Sequence, residues 1–83
     1  MTDVRLKFKN PVRLSLDAAL ALEDYARAAA GCDAAVTMDA AHHTTGVSLA
    51  SGGRALQDAV LEDIERFYLS LVQEAAGQAA RRH

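Results

Sequence analysis

An 83-residue chain with nine basic and eleven acidic residues has room for one domain and one core, and its formal charge of −2 opposes wholesale attraction to nucleic acid or anionic membrane. Apolar residues make up 51%, but many are alanines, and the only aromatics are Phe8, Tyr25, Phe67 and Tyr68. The expected core is therefore thin, which makes self-association a natural way to complete it.

Residues 3–9 alternate strictly: Val4, Leu6 and Phe8 share one face, and Arg5, Lys7 and Lys9 share the other. This is the pattern of a half-buried strand. Asn10-Pro11 is expected to end it, because proline cannot donate to a ladder and restricts its predecessor. Ser15 reads as an N-cap, and Asp17 in the first turn suits the positive end of the helix dipole. That helix is predicted to run to about Ala30, with Gly31 as a left-handed cap. At 3.6 residues per turn, Ala18, Leu22, Tyr25, Ala26 and Ala29 form its buried stripe and Glu23, Asp24 and Arg27 its wet side. Leu16 and Leu20 fall on the wrong flank.

Residues 34–39 are predicted as a second strand with Val36 and Met38 inward, and residues 44–50 as a third with Thr45, Val47 and Leu49 inward. Ala40-Ala41-His42-His43 between them is short enough for a hairpin loop. Ser51-Gly52-Gly53 then breaks the chain before a long helix predicted from about Arg54 to Ala76. Its Leu56, Val60, Ile64, Phe67, Leu71 and Ala75 recur at steps of three or four. Residues 77–83 read as a frayed tail that sets Arg81, Arg82 and His83 at the negative helix end.

The predicted order is β-α-β-β-α, an α+β open-faced sandwich with a three-stranded sheet and both helices on one face. A right-handed crossover through the first helix would set the second strand parallel to the first. The uncovered sheet face would carry Arg5, Lys7 and Lys9 beside small residues such as Thr37 and Ser48.

The run from Val4 to Leu49 resembles the first half of the histidine-containing phosphocarrier (HPr) family of the sugar phosphotransferase system. The likeness lies in a short strand, Asn10-Pro11, a helix opening Asp17-Ala18-Ala19-Leu20, the segment Ala30-Gly31-Cys32-Asp33-Ala34-Ala35-Val36-Thr37, and Thr45-Gly46-Val47-Ser48-Leu49. The resemblance implies a phosphoacceptor histidine before the first helix, helped by an arginine and the helix N-terminus. Here that region reads Pro11-Val12-Arg13-Leu14-Ser15-Leu16-Asp17, with no histidine and with Arg13 nearest in position. Beyond Leu49 the chain also leaves no room for that family's short helix and fourth strand. No phosphoryl transfer is expected through this chain.

Other candidate chemistry is sparse. His42-His43 with Asp39 is the one cluster of metal-ligand types, and neighbours within one loop make an incomplete site, so no metal or other cofactor is expected. Ser48, Ser51 and Cys32 are nucleophile types, but none stands in a catalytic spacing, and no enzymatic activity is expected. Cys32 is alone, which excludes an intrachain disulfide. Arg13, Ser15, Ser51, Gly52 and Gly53 could offer N–H groups and charge to an anion near two helix starts. The basic row Arg5, Lys7 and Lys9 lacks the interleaved aromatics of a base-stacking sheet. Asp3 and Asp39 are expected to flank that row.

Misplaced apolar surface is the leading signal. Leu61, Tyr68 and Val72 flank the main stripe of the long helix, Leu69 lies further round, and Leu16 and Leu20 sit among charges on the first helix. The expected function is a small non-catalytic interaction or regulatory protein, homodimeric through these residues or docking another protein. A phosphate-handling protein and a weak nucleic-acid binder are the alternatives. The N-terminus shows no apolar secretion-signal core, and no apolar run nears the roughly 20 residues of a membrane span. No membrane partner is therefore expected, and the expected address is cytoplasmic.

Overall fold

In the computed structural model, which describes residues 4–80, the elements are β1 (Val4–Val12), α1 (Leu16–Ala30), β2 (Asp33–Met38), β3 (Thr44–Ala50) and α2 (Asp58–Ala80). Asp3 and the Arg81-Arg82-His83 end lie outside the described residues. The sheet order is β1-β3-β2, with β3 antiparallel to both neighbours. β1 and β2 therefore run parallel to each other, as the crossover through α1 requires, and β3 is inserted between them.

Register explains which side chains go inward. Val4, Leu49 and Ala34 form one row across the sheet, and Leu6, Val47 and Val36 form the next. These rows lie under the helices, where Phe8, Ala34, Val47 and Leu49 join Leu22 and Ala26 of α1 and Ile64 and Tyr68 of α2 in one core. One parallel ring stack ties the sheet to the helix layer, and another ties the two helices. Phe8 lies on Tyr68 with centroids 3.7 Å apart, and Tyr25 of α1 lies on Phe67 of α2 at 4.3 Å.

α1 is delimited as its sequence requires. The Ser15 hydroxyl accepts the Ala18 N–H at 3.2 Å, and Gly31, at φ 67°, donates its own N–H to the Arg27 carbonyl. Leu14, just before the cap, is buried, a position from which an apolar residue fixes the entry of the chain.

Several expectations need correction, and one is Tyr25, which is expected in the buried stripe of α1 but stacks on Phe67 at the surface, 37% exposed. β1 does not end at Asn10-Pro11; it continues to Val12 through an irregularity between Lys7 and Val12. β1 is an edge strand and Pro11 lies in its bulged part, so the missing N–H interrupts no ladder bond. A second irregularity between Thr37 and Met38 shifts the end of the hairpin. The extra residue is Thr45 on β3, so Thr44 rather than Thr45 takes the fully buried position, while Met38, expected inward, is exposed at the end of β2. Thr45 instead shares a hydrogen bond with the Thr37 hydroxyl at 3.1 Å.

α2 starts four residues later than expected and runs past Gly77 to Ala80. Arg54 is held in a turn, donating its N–H to the Ser51 carbonyl, and the first helical bonds run back to the Gln57 carbonyl. Gly77 sits between two alanine pairs, whose helix propensity carries the helix through a residue that merely weakens it. Finally, Tyr68 belongs to the core and not to an outer flank. It is 1% exposed, because four residues after Ile64 it points at the same sheet face and meets Phe8.

Candidate functional site

The two edges of the sheet are finished in opposite ways, and this difference organises the surface. The Val36 N–H points away from β3 and donates to Glu23 Oε2 at 3.3 Å, while the Ala34 N–H donates to Asp33 Oδ1 at 3.1 Å. Two outward donors of β2, at Ala34 and Val36, are thus closed by carboxylates. Arg27 holds those carboxylates in place, with its Nε on Asp33 at 3.1 Å and its other nitrogens on Glu23 at 2.6 Å and Asp24 at 3.2 Å. The hydrogen bond to Asp33 raises the Arg27 pKa; desolvation opposes this, and the nearby Glu23 charge adds to it.

The same register decides β1. Because Val36 faces outward, its partner Val47 turns its backbone groups toward β1 and pairs there with Leu6. Arg5 and Lys7 therefore direct their N–H and C=O groups to the outer edge of β1. Among the described residues, no hydrogen bond reaches that edge between Val4 and Lys9. Further along, the Tyr68 hydroxyl donates to the Asn10 carbonyl at 2.9 Å and accepts the Val12 N–H at 3.1 Å. Burial holds the Tyr68 pKa above its ordinary value, against a smaller lowering by the Val12 bond.

The apolar flank resolves into separate pieces. Leu61 and Val72 are half-buried against the core, and Tyr68 is inside it, which withdraws Tyr68 from any binding face. Leu69 is 48% exposed and lines a groove of about 270 Å³ with Phe8, Lys9, Asn10, Glu65 and Tyr68, beside the open part of β1. Leu16 and Leu20, 73% and 50% exposed, stand on the other side of the helix layer. They share the helical row of Glu23 and Arg27, the residues that reach β2. That row pairs Arg27 with Asp33 and Glu23 with Val36, and Met38 at the end of β2 is itself 47% exposed.

The anion candidates are not assembled. Arg13 and Ser15 follow β1 near Thr44, whereas Ser51, Gly52 and Gly53 follow the opposite end of β3. Seven residues of strand separate the two groups, roughly 20 Å at about 3.3 Å per residue. Ser15 already caps α1, and Asp58 occupies the first turn of α2, where a negative charge repels an anion. The Ser51-to-Arg54 turn closes on itself and stands apart from the helix start.

At the hairpin tip, Asp39 Oδ1 accepts the Ala41 and His43 N–H groups, both at 2.9 Å, and Oδ2 lies 3.3 Å from His43 Nδ1. Those backbone bonds, the one from His43 first, hold the Asp39 carboxyl below its ordinary range. Asp39 is thus engaged in shaping the turn, and His42 adopts φ 64° with its side chain exposed. Among the described residues, no group of three His, Cys, Asp or Glu is placed to hold a metal ion. Cys32 is a half-buried free thiol packed against the core. Arg5, Lys7, Thr37, Thr45 and Ser48 line a shallow concavity on the uncovered sheet face, and the one nearby ring, Phe8, is stacked inward on Tyr68. No helix is long and apolar enough to cross a membrane among the described residues.

The exposed leucines were legible as off-stripe residues, but the contrast between the edges was not. Its signal was the spacing of Glu23 and Arg27, whose partners on β2 are set by tertiary packing. Compared with protein-family models, curated proteins and solved structures, the chain finds no match.

Proposed function

We propose that this chain is a small non-catalytic interaction protein, of the kind that regulates by binding, and that it works as a homodimer joined along α1. The observation that carries this reading is the exposure of Leu16 and Leu20 on one face of α1, together with that of Met38 at the end of β2. These are three of the five large hydrophobic side chains left exposed among the described residues, and they are bordered by a cluster in which Arg27 bridges Glu23, Asp24 and Asp33.

Two-fold pairing uses each residue twice. Complete burial of a leucine or methionine contributes roughly 1.5–3 kcal/mol, so six such side chains can offset the cost of association. The burial of Tyr68 and half-burial of Leu61 and Val72 move the proposed centre from α2, where the sequence pattern puts it, to α1.

Light scattering at micromolar concentration tests the reading. It should report twice the 8.8 kDa chain mass, and Leu16→Glu with Leu20→Glu should restore the single-chain mass with the fold intact. A wild-type protein that scatters as a monomer defeats the homodimer.

A further inference from the structure

We propose that the open edge of β1 takes an extended segment of another protein as a fourth strand, and that this segment alternates acidic with apolar residues. The proposal rests on the interaction reading above, and it names the partner's chemistry on a surface distinct from the α1 strip. The first support is the contrast between the edges. Carboxylates close the outward N–H groups of Ala34 and Val36, whereas Arg5 and Lys7 present theirs with no partner among the described residues. An unpaired strand edge is a template for another strand.

The second support is what lies on either side of that edge. On the helix side is the groove with Phe8 and Tyr68 as its floor and the exposed Leu69 as its wall. On the open side stand the exposed Arg5, Lys7 and Lys9. An added strand places successive side chains on opposite faces. Those directed at the helices enter the apolar groove, and those directed at the open face stand directly across from Arg5 and Lys7. Opposite charges across a strand pair stabilise it, and like charges destabilise it.

Two features choose the occupant. A second copy pairing β1 with β1 would set the two basic rows against each other, so self-pairing is disfavoured. Glu65 stands on the helix side of the groove, which disfavours an acid there and leaves the open face as the place for the acids. The segment is thus specified in register as well as in composition.

The test uses the full chain and a fluorescein-labelled ten-residue peptide alternating glutamate with valine. Fluorescence anisotropy should show saturable binding. A peptide with lysine for glutamate, and a peptide of the same composition with its glutamates and valines in two blocks, should each bind at least tenfold more weakly. Hydrogen exchange should show the Arg5 and Lys7 amides newly protected in the complex. Lys7→Glu and Leu69→Asp should each weaken binding at least tenfold, while Leu16→Glu, on the other flank, should leave it unchanged. Equal binding of the blocked peptide, or binding without protection of those amides, would reduce the interaction to charge attraction and overturn the proposal. Concentration-dependent protection of the Arg5 and Lys7 amides without peptide would identify a second copy as the occupant, and would equally overturn it. A monomeric wild type that still binds the alternating peptide would refute the homodimer while supporting the edge.

Discussion

Among the glycines, Gly46 has the least room for a side chain. An added Cβ would run into the Leu6 carbonyl oxygen, a backbone atom of the neighbouring strand that cannot swing aside. Its φ is not in the left-handed region, so glycine is required for room and not for a backbone angle. Gly46→Ala should lower stability by about 1–3 kcal/mol, the cost of overpacking a fitted interior, and a chemical denaturation midpoint measures it. An unchanged midpoint would mean that β1 can move away from β3 at little cost.

Tyr68 is the second such position. Tyr68→Phe keeps the ring on Phe8 but leaves the Asn10 carbonyl and Val12 N–H without their partner. Leaving such groups unpaired costs about 1–3 kcal/mol. The midpoint should fall with an unchanged slope against denaturant. The sequence showed an aromatic four residues after Ile64 but not where its hydroxyl would go. The partners are more than fifty residues away, on a strand segment that Asn10-Pro11 had made look like a terminus.

At the scale of elements, legibility followed how local the determinants are. α1 was readable from end to end because Ser15, Asp17 and Gly31 act within one turn of where they stand. β1 was readable through Lys9 by alternation. Its continuation past Pro11 was not, because it depends on being an edge strand, and strand order is a property of the whole sheet. Thr44 and Thr45 exchange inward and outward places for a related reason. An extra residue in β3 reverses its facing between Gly46 and the hairpin, and nothing in Thr44-Thr45 announces it.

The hairpin between β2 and β3 is held instead by Asp39, which makes it sensitive to acid. Its carboxylate accepts two backbone N–H bonds and sits close to the His43 ring, so its folded pKa lies below the ordinary 3.8. The unfolded chain therefore takes up the proton first as pH falls. This contribution to stability is complete well above pH 3.8, shrinks as pH drops through that value, and is gone below the folded pKa. Thermal melts from pH 6 to pH 3 should show this loss, and Asp39→Ala should flatten part of the dependence. A variant with the same acid profile as wild type would place the acid sensitivity elsewhere.

At the scale of the molecule, the α+β sandwich followed from two periodicities, but which part of its surface is left open did not. Both depend on apolar patterning, yet exposure is decided by where the helices come to rest. α2 rests with Tyr68 on Phe8, α1 turns Glu23 and Arg27 to the β2 edge, and Leu16 and Leu20 are carried outward with them. A chain this short has a small stability margin. Its core here includes two alanines and relies on Leu22, Leu49, Ile64, Val47 and the Phe8–Tyr68 stack. If the α1 strip joins two copies, association supplies part of the stability, and folding becomes linked to concentration by mass action. The melting temperature of the wild type should then rise over a hundredfold increase in protein concentration. Leu20→Glu should abolish that rise and melt at the temperature of the most dilute wild type, since Leu20 contributes little within a single chain at 50% exposure. Leu69→Asp should keep the concentration dependence, because its groove lies on the opposite flank. A melting temperature that does not move with concentration would assign the α1 strip to a different protein, and the chain would then stand as a folded monomer.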